Sequence, residues 1–285
     1  MLELLPGSTP SAVVVFREVL EAALVVGIVM AATRGIRGRG AWILAGIGSG
    51  VIGACLVALF AEAIRSAASG MGSELFNAIV LFLAVLMLGW HCVWMSRHGR
   101  EIAQQMTAVG RAVAEGARPL YALSFVIALA VLREGSEIVL FLYGFAAGGQ
   151  VSLPALALGS AIGLGGGIAL GLAIYLGLLR VPMRHLFAVT TWMIILLAAG
   201  MAAQGAAFLV QADLLPALGK GIWDTSKILS EKQLVGQILH VLVGYDSRPS
   251  GIQIVFYLVT IGIIGFLTWR LKSPAAPAGS APRPA

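Results

Sequence analysis

Charge is what this chain has least of. Of its 285 residues only 11% are Asp, Glu, Lys or Arg, against about 25% in a soluble domain. Cysteine is nearly absent too. Cys55 and Cys92 both fall in apolar stretches, which excludes a disulfide framework and a Cys-x-x-Cys metal centre. No Gly-x-x-x-x-Gly-Lys-Ser/Thr segment occurs, so direct coupling to nucleotide hydrolysis has no support. The net charge of +6 does not imply nucleic acid. The basic residues sit in short segments between apolar ones, with few aromatic rings among them, and topology explains them better.

Long apolar runs fill the space. Hydrophobic residues make up 59% of the chain and the mean hydropathy is +0.94. Its 36 glycines suit helices that approach closely in lipid. Stretches near 11–33, 41–62, 73–95, 119–146, 152–178, 185–212 and 251–271 are each long enough to cross a bilayer. The expected fold is an all-α polytopic membrane protein with seven transmembrane helices. The first stretch has no basic segment before it, so a cleaved signal peptide is not expected.

Basic residues fix the expected orientation. One side collects Arg34, Arg37, Arg39, Arg97, Arg100, Arg111, Arg118, Arg180, Arg184, Arg270, Lys272 and Arg283. The other has Arg65, Lys220, Lys227, Lys232 and Arg248. The richer side is cytoplasmic, which puts the N-terminus outside and the C-terminus inside. Segment 96–118 reads as an interfacial or cytoplasmic helix. The whole of 1–273 reads as one transmembrane domain, with an outer segment at 213–250 and a disordered cytoplasmic tail at 274–285.

Against this apolar background one ionised pattern occurs twice. Arg17-Glu18-Val19-Leu20-Glu21 and Arg133-Glu134-Gly135-Ser136-Glu137 both read Arg-Glu-x-x-Glu. Charges at membrane depth are costly and usually functional. Glutamates three apart share a helix face, and each arginine lies four residues before the last glutamate, within pairing reach. Span one runs inward and span four outward. Spans one to three (about 11–95) and four to six (about 119–212) then form two inverted three-helix repeats, with the seventh helix appended. Inverted repeats place their substrate site near the midplane, where the repeats meet. Glu18, Glu21, Glu134 and Glu137 would form a hard oxygen cage for a cation there, with Arg17 and Arg133 in support. The blander reading is that each motif is an ion pair that fixes helix packing. Matched depth in opposed repeats argues against it.

The doubled motif resembles that of the oxidase-dependent iron permeases, fungal and bacterial. So do Trp90-His91 and Trp94-Met95, Gln204-Gly205, Trp223-Asp224-Thr225-Ser226, Gly244-Tyr245 and Pro249-Ser250. The resemblance covers nearly the whole chain up to Pro274. It implies iron uptake across the cytoplasmic (inner) membrane, with iron as transported substrate rather than cofactor. It implies an extracytoplasmic redox or iron-delivery partner. The lipid bilayer is the other partner, with a homo-oligomer as an option. Glu62, His91, Gln204 and Asp224 are secondary candidates along a path, Glu62 and Asp224 in an acidic approach surface. His91 is placed near the cytoplasmic end of span three. Two alternatives were weighed. One is a membrane metalloenzyme with a carboxylate-bound metal, which normally adds Glu-x-x-His patterns that neither motif helix has. The other is uptake of another heavy metal such as lead or manganese.

Overall fold

A computed structural model describes residues 5–67, 73–147, 151–178, 183–219, 221–226, 229 and 233–271. Among them the fold is entirely helical: α1 (Leu5–Ala32), α2 (Arg39–Ala67), α3 (Ser73–Ala114), α4 (Tyr121–Ala147), α5 (Leu153–Tyr175), α6 (Met183–Gln211), α7 (Leu234–Val243) and α8 (Gly251–Arg270). The tail at 274–285 lies outside the described residues.

Among the described residues, five helical segments are long and apolar enough to cross a membrane: Arg39–Ala63, Glu74–Ser96, Leu153–Tyr175, Ala188–Gln211 and Gly251–Arg270. α1 and α4 have the length, at 28 and 27 residues, but each carries the three ionised residues of a motif. Large apolar side chains face outward, Leu86, Phe60 and Trp90 among them. Water would penalise so extensive an apolar surface; lipid does not. This is a multi-pass membrane protein.

Local sequence sets the helix ends. Ser152 stands at the N-cap position of α5 in extended conformation, with a proline in the first turn. Ser250 and Gln253 form a capping box on α8. Gly244 closes α7 in the left-handed conformation, φ 70°, which a residue with Cβ resists. α3 runs for 42 residues, about 63 Å at 1.5 Å per residue. It leaves the span and continues as the helix expected at 96–118, without a break.

Small residues decide which helices pack. α1 lies chiefly against α5, α2 against α4, and α3 against α6. A Cβ on Gly163 would sit 2.5 Å from the carbonyl oxygen of Ala12, and one on Gly50 would sit 2.8 Å from that of Ala128. No other residue permits so close a backbone approach. The contacts advance in register. Gly159, Gly163 and Gly171 meet Ser8, Ala12 and Ala23 in turn, while Gly46, Gly50 and Gly53 meet Ser124, Ala128 and Leu132. So α5 is parallel to α1, and α4 is parallel to α2.

Two apolar cores stack along the helices. One joins Val14 of α1, Leu81 and Leu88 of α3, Phe141 and Phe145 of α4, and Ile194 and Leu197 of α6. The other joins Val29 of α1, Ile43 of α2, Val113 of α3, and Leu123 and Ile127 of α4. The first core uses the start of α1 and the end of α4; the second uses the reverse. α1 and α4 are therefore antiparallel, and both motifs lie between the cores.

Candidate metal site between α1, α3 and α4

Val19 and Gly135, the centres of the motifs, fall at the middles of α1 and α4. Each central residue also serves packing. Val19 lies over Gly167 of α5, and Gly135 lies under Ala54 of α2, where a Cβ would come within 2.7 Å. The two motifs thus differ at their centres because one helix partner supplies the small residue and the other requires it.

The helices bring all four glutamates inward. Glu18, Glu21 and Glu134 are buried, and the Glu137 side chain is only 15% exposed. Both expected i,i+4 pairs are present. Arg17 Nη2 lies 3.0 Å from Glu21 Oε1, and Arg133 Nε lies 3.2 Å from Glu137 Oε1. Arg17 also reaches its neighbour, with Nη1 3.0 Å from Glu18 Oε1. Pairing of this kind is what makes buried charge tolerable.

His91 completes the group. It lies near the end of the apolar stretch Glu74–Ser96, as expected for the span, although the helix itself continues to Ala114. Its side chain is 2% exposed. Nδ1 is in close contact with Glu137 Oε2, and Nε2 is 3.8 Å from both Glu18 Oε2 and Glu21 Oε1. One ligand atom from each of Glu18, His91, Glu134 and Glu137 fits within 4.8 Å of the others. Ligands at about 2.2 Å around one ion are at most about 4.4 Å apart, so the spread of these four exceeds that of a bound set by only a few tenths of an ångström. Glu18 Oε2, Glu134 Oε2 and both His91 ring nitrogens are buried with no hydrogen bond of good geometry. Buried polar atoms in that condition need an explanation, and a cation held among them supplies one.

The other candidates lie elsewhere. Glu62 Oε2 accepts a 3.0 Å hydrogen bond from the Tyr143 hydroxyl, across α2 and α4. Asp224 is paired within the segment at 213–250, 2.9 Å from Arg248 Nη2. The Ser226 hydroxyl first, and then Arg248, hold its carboxyl down at about 2. Gln204 lines a cavity of about 350 Å³ together with Pro10, Gly144, His240, Tyr245 and Asp246. Pro10, Gly144 and another lining residue, Leu81, precede or follow the site on their helices by about 10–15 Å at 1.5 Å per residue, all toward the same end. The cavity therefore lies on one axial side of the glutamates, beneath the segment at 213–250.

Sequence reasoning ranked His91 below the glutamates and used Trp94 only as part of a resemblance. A signal for His91 existed. It is the sole histidine within the apolar part of span three, and buried ionisable groups in such segments seek partners. Nothing in the sequence points to the contact of Trp94 with Arg133, which joins α3 to α4.

Known proteins are similar to most of this chain. The ferrous iron permease EfeU of Escherichia coli O6:H1 is 32% identical over 255 residues, covering 86% of this chain and 90% of that protein. The ferrous iron permease EfeU of Yersinia pestis is 30% identical over 276 residues, covering 94% and 95%. No solved structure matches the chain. A family model described as the iron permease FTR1 family matches residues 9–271, and the chain belongs to that family.

Proposed function

We propose that this protein is an iron permease of the cytoplasmic membrane and that iron passes through the cluster of Glu18, Glu21, His91, Glu134 and Glu137. The observation that carries this reading is the four-residue ligand set within 4.8 Å, buried between two apolar cores. Carboxylates supply hard oxygen, and imidazole adds a borderline nitrogen suited to ferrous iron. Relatives named ferrous iron permeases support the same oxidation state. α1 and α4 cross the bilayer with the five more apolar segments, giving seven spans. Their antiparallel packing, with α1 on α5 and α4 on α2, supports two inverted three-helix repeats with α8 appended. The basic-residue bias supports an outside N-terminus. Iron enters from the cavity below the outer segment, where an extracytoplasmic delivery protein would dock.

An enzymatic carboxylate-bridged centre normally draws a histidine from each of two Glu-x-x-His helices. Here one histidine comes from a third helix, and transport is the better reading. The test is radiolabelled iron uptake by purified protein in liposomes, with and without reductant. Reductant should be required, and Glu18→Ala, Glu21→Ala, Glu134→Ala and Glu137→Ala should each abolish uptake while the protein stays inserted. Near-normal transport by one variant from each motif would sink the shared site.

A further inference from the structure

The two motifs have one sequence pattern and two geometries. Arg17 is 2% exposed and bridges both glutamates of its motif through separate nitrogens, at 3.0 Å each. Arg133 is 35% exposed and reaches Glu137 through Nε alone, at 3.2 Å, leaving Glu134 Oε1 3.9 Å away. The difference is an aromatic ring. The Arg133 guanidinium carbon lies 3.7 Å from the centroid of the Trp94 indole, well inside cation–π range. Arg17 has no such partner among the described residues. His98, one turn further along α3, stacks on the same indole at 5.0 Å with 23° between planes and so fixes the tilt of the ring.

Within the group of four, Glu18 has one oxygen, Oε1, taken by Arg17 at 3.0 Å, whereas Arg133 stays 3.9 Å from Glu134. An arginine bridging both carboxylates of the second motif, as Arg17 bridges the first, would take one oxygen of Glu134, as Arg17 takes Oε1 of Glu18. We propose that Trp94 is a positioning residue of this site: its indole face holds the Arg133 guanidinium off Glu134 and leaves that carboxylate free for the metal. The inference rests on the metal-site reading above. A plain packing role for Trp94 makes a different prediction, because its loss would then act without regard to Arg133.

The experiment is a double-mutant cycle on the full chain in lipid nanodiscs. Anaerobic Fe²⁺ binding is measured for the wild type, Trp94→Leu, Trp94→Phe, Arg133→Gln and the Trp94→Leu/Arg133→Gln pair. Trp94→Leu should raise Kd about tenfold, the scale of a desolvated cation–π contact. Trp94→Phe keeps a ring face and should stay within about threefold. In the Arg133→Gln background, Trp94→Leu should have no further effect. Equal Kd for wild type and Trp94→Leu overturns this inference alone. So does an equal loss in both backgrounds, which would make the indole a packing element. A wild-type chain that binds no Fe²⁺ overturns the metal site itself, and this inference with it.

Discussion

Arg17 is the most enclosed cation of the site, and its value lies in its shape. A guanidinium can give one nitrogen to Glu18 and another to Glu21 at 3.0 Å each; an ammonium is a point charge and cannot hold both in that geometry. Charge-assisted hydrogen bonds contribute about 1.5–3 kcal/mol each. Arg17→Lys should therefore lower iron uptake at least about tenfold, while the peripheral Arg111→Lys should leave it unchanged; equal behaviour of the two would remove the positional role. His91 offers a test of selectivity. Imidazole binds first-row metals along the series in which Fe²⁺ exceeds Mn²⁺. His91→Asn should weaken Fe²⁺ binding more than Mn²⁺ binding, as read by competition titration. Unchanged Fe²⁺ affinity would show that the ring is not a ligand. The four glutamates were legible because a charged motif repeated in apolar sequence has few explanations. His91 and Trp94 were not, because their importance depends on a rotation of α3 that no local pattern states.

Among the elements, α5 shows most directly how sequence becomes packing. Gly163 and Gly165 are two residues apart and face opposite ways. The first meets the α1 backbone; the second has nothing within 4 Å of a Cβ. Gly163→Val should overpack the interface and lower stability by about 1–3 kcal/mol. Gly165→Ala should be neutral or slightly stabilising, since alanine is the better helix former by about 1 kcal/mol. Melting temperatures in detergent decide it, and similar melting of both variants would contradict the close α1–α5 contact. The outer segment has its own internal bond. Asp224 sits at about 2, below the ordinary value near 3.9, so whatever its pairing contributes is present above about pH 4 and lost as pH falls through 2. Arg248→Gln should raise the Asp224 midpoint toward 3.9, followed by carboxyl carbon resonance; an unmoved midpoint would assign the shift to Ser226 alone. Span limits were readable within a few residues because apolar runs end where polar residues begin. Two features were not. The 42-residue α3 has no breaker after its span, so a helix expected apart is a continuation. α7 lies hidden in a segment read for its charges, although the left-handed Gly244 is a stop signal that follows a run of apolar residues.

At the scale of the molecule the mechanism depends on direction. α1 and α4 are antiparallel, and so Arg17 and Arg133 flank the glutamates from opposite axial sides. If both helices cross the bilayer, the segment after α1 and the segment after α4 must open on opposite faces. Arg37, after α1, and Ser152, before α5, are both exposed, and each can carry a cysteine in a background lacking Cys55 and Cys92. On intact spheroplasts a membrane-impermeant thiol reagent should label Ser152→Cys and should not reach Arg37→Cys until the membrane is opened. A cysteine at Ser247, in the outer segment, should label with the first; one at Glu115, after α3, should stay protected with the second. Labelling of positions 37 and 152 from one face would mean that α1 or α4 fails to cross. The two motifs could then not be exchanged by a two-fold axis in the membrane plane, and alternating access about a shared midplane site would lose its geometric basis. Labelling of position 37 alone on intact cells would keep the inverted repeats and reverse the whole molecule, placing the cavity beneath residues 213–250 on the cytoplasmic side and turning a port of arrival into one of release.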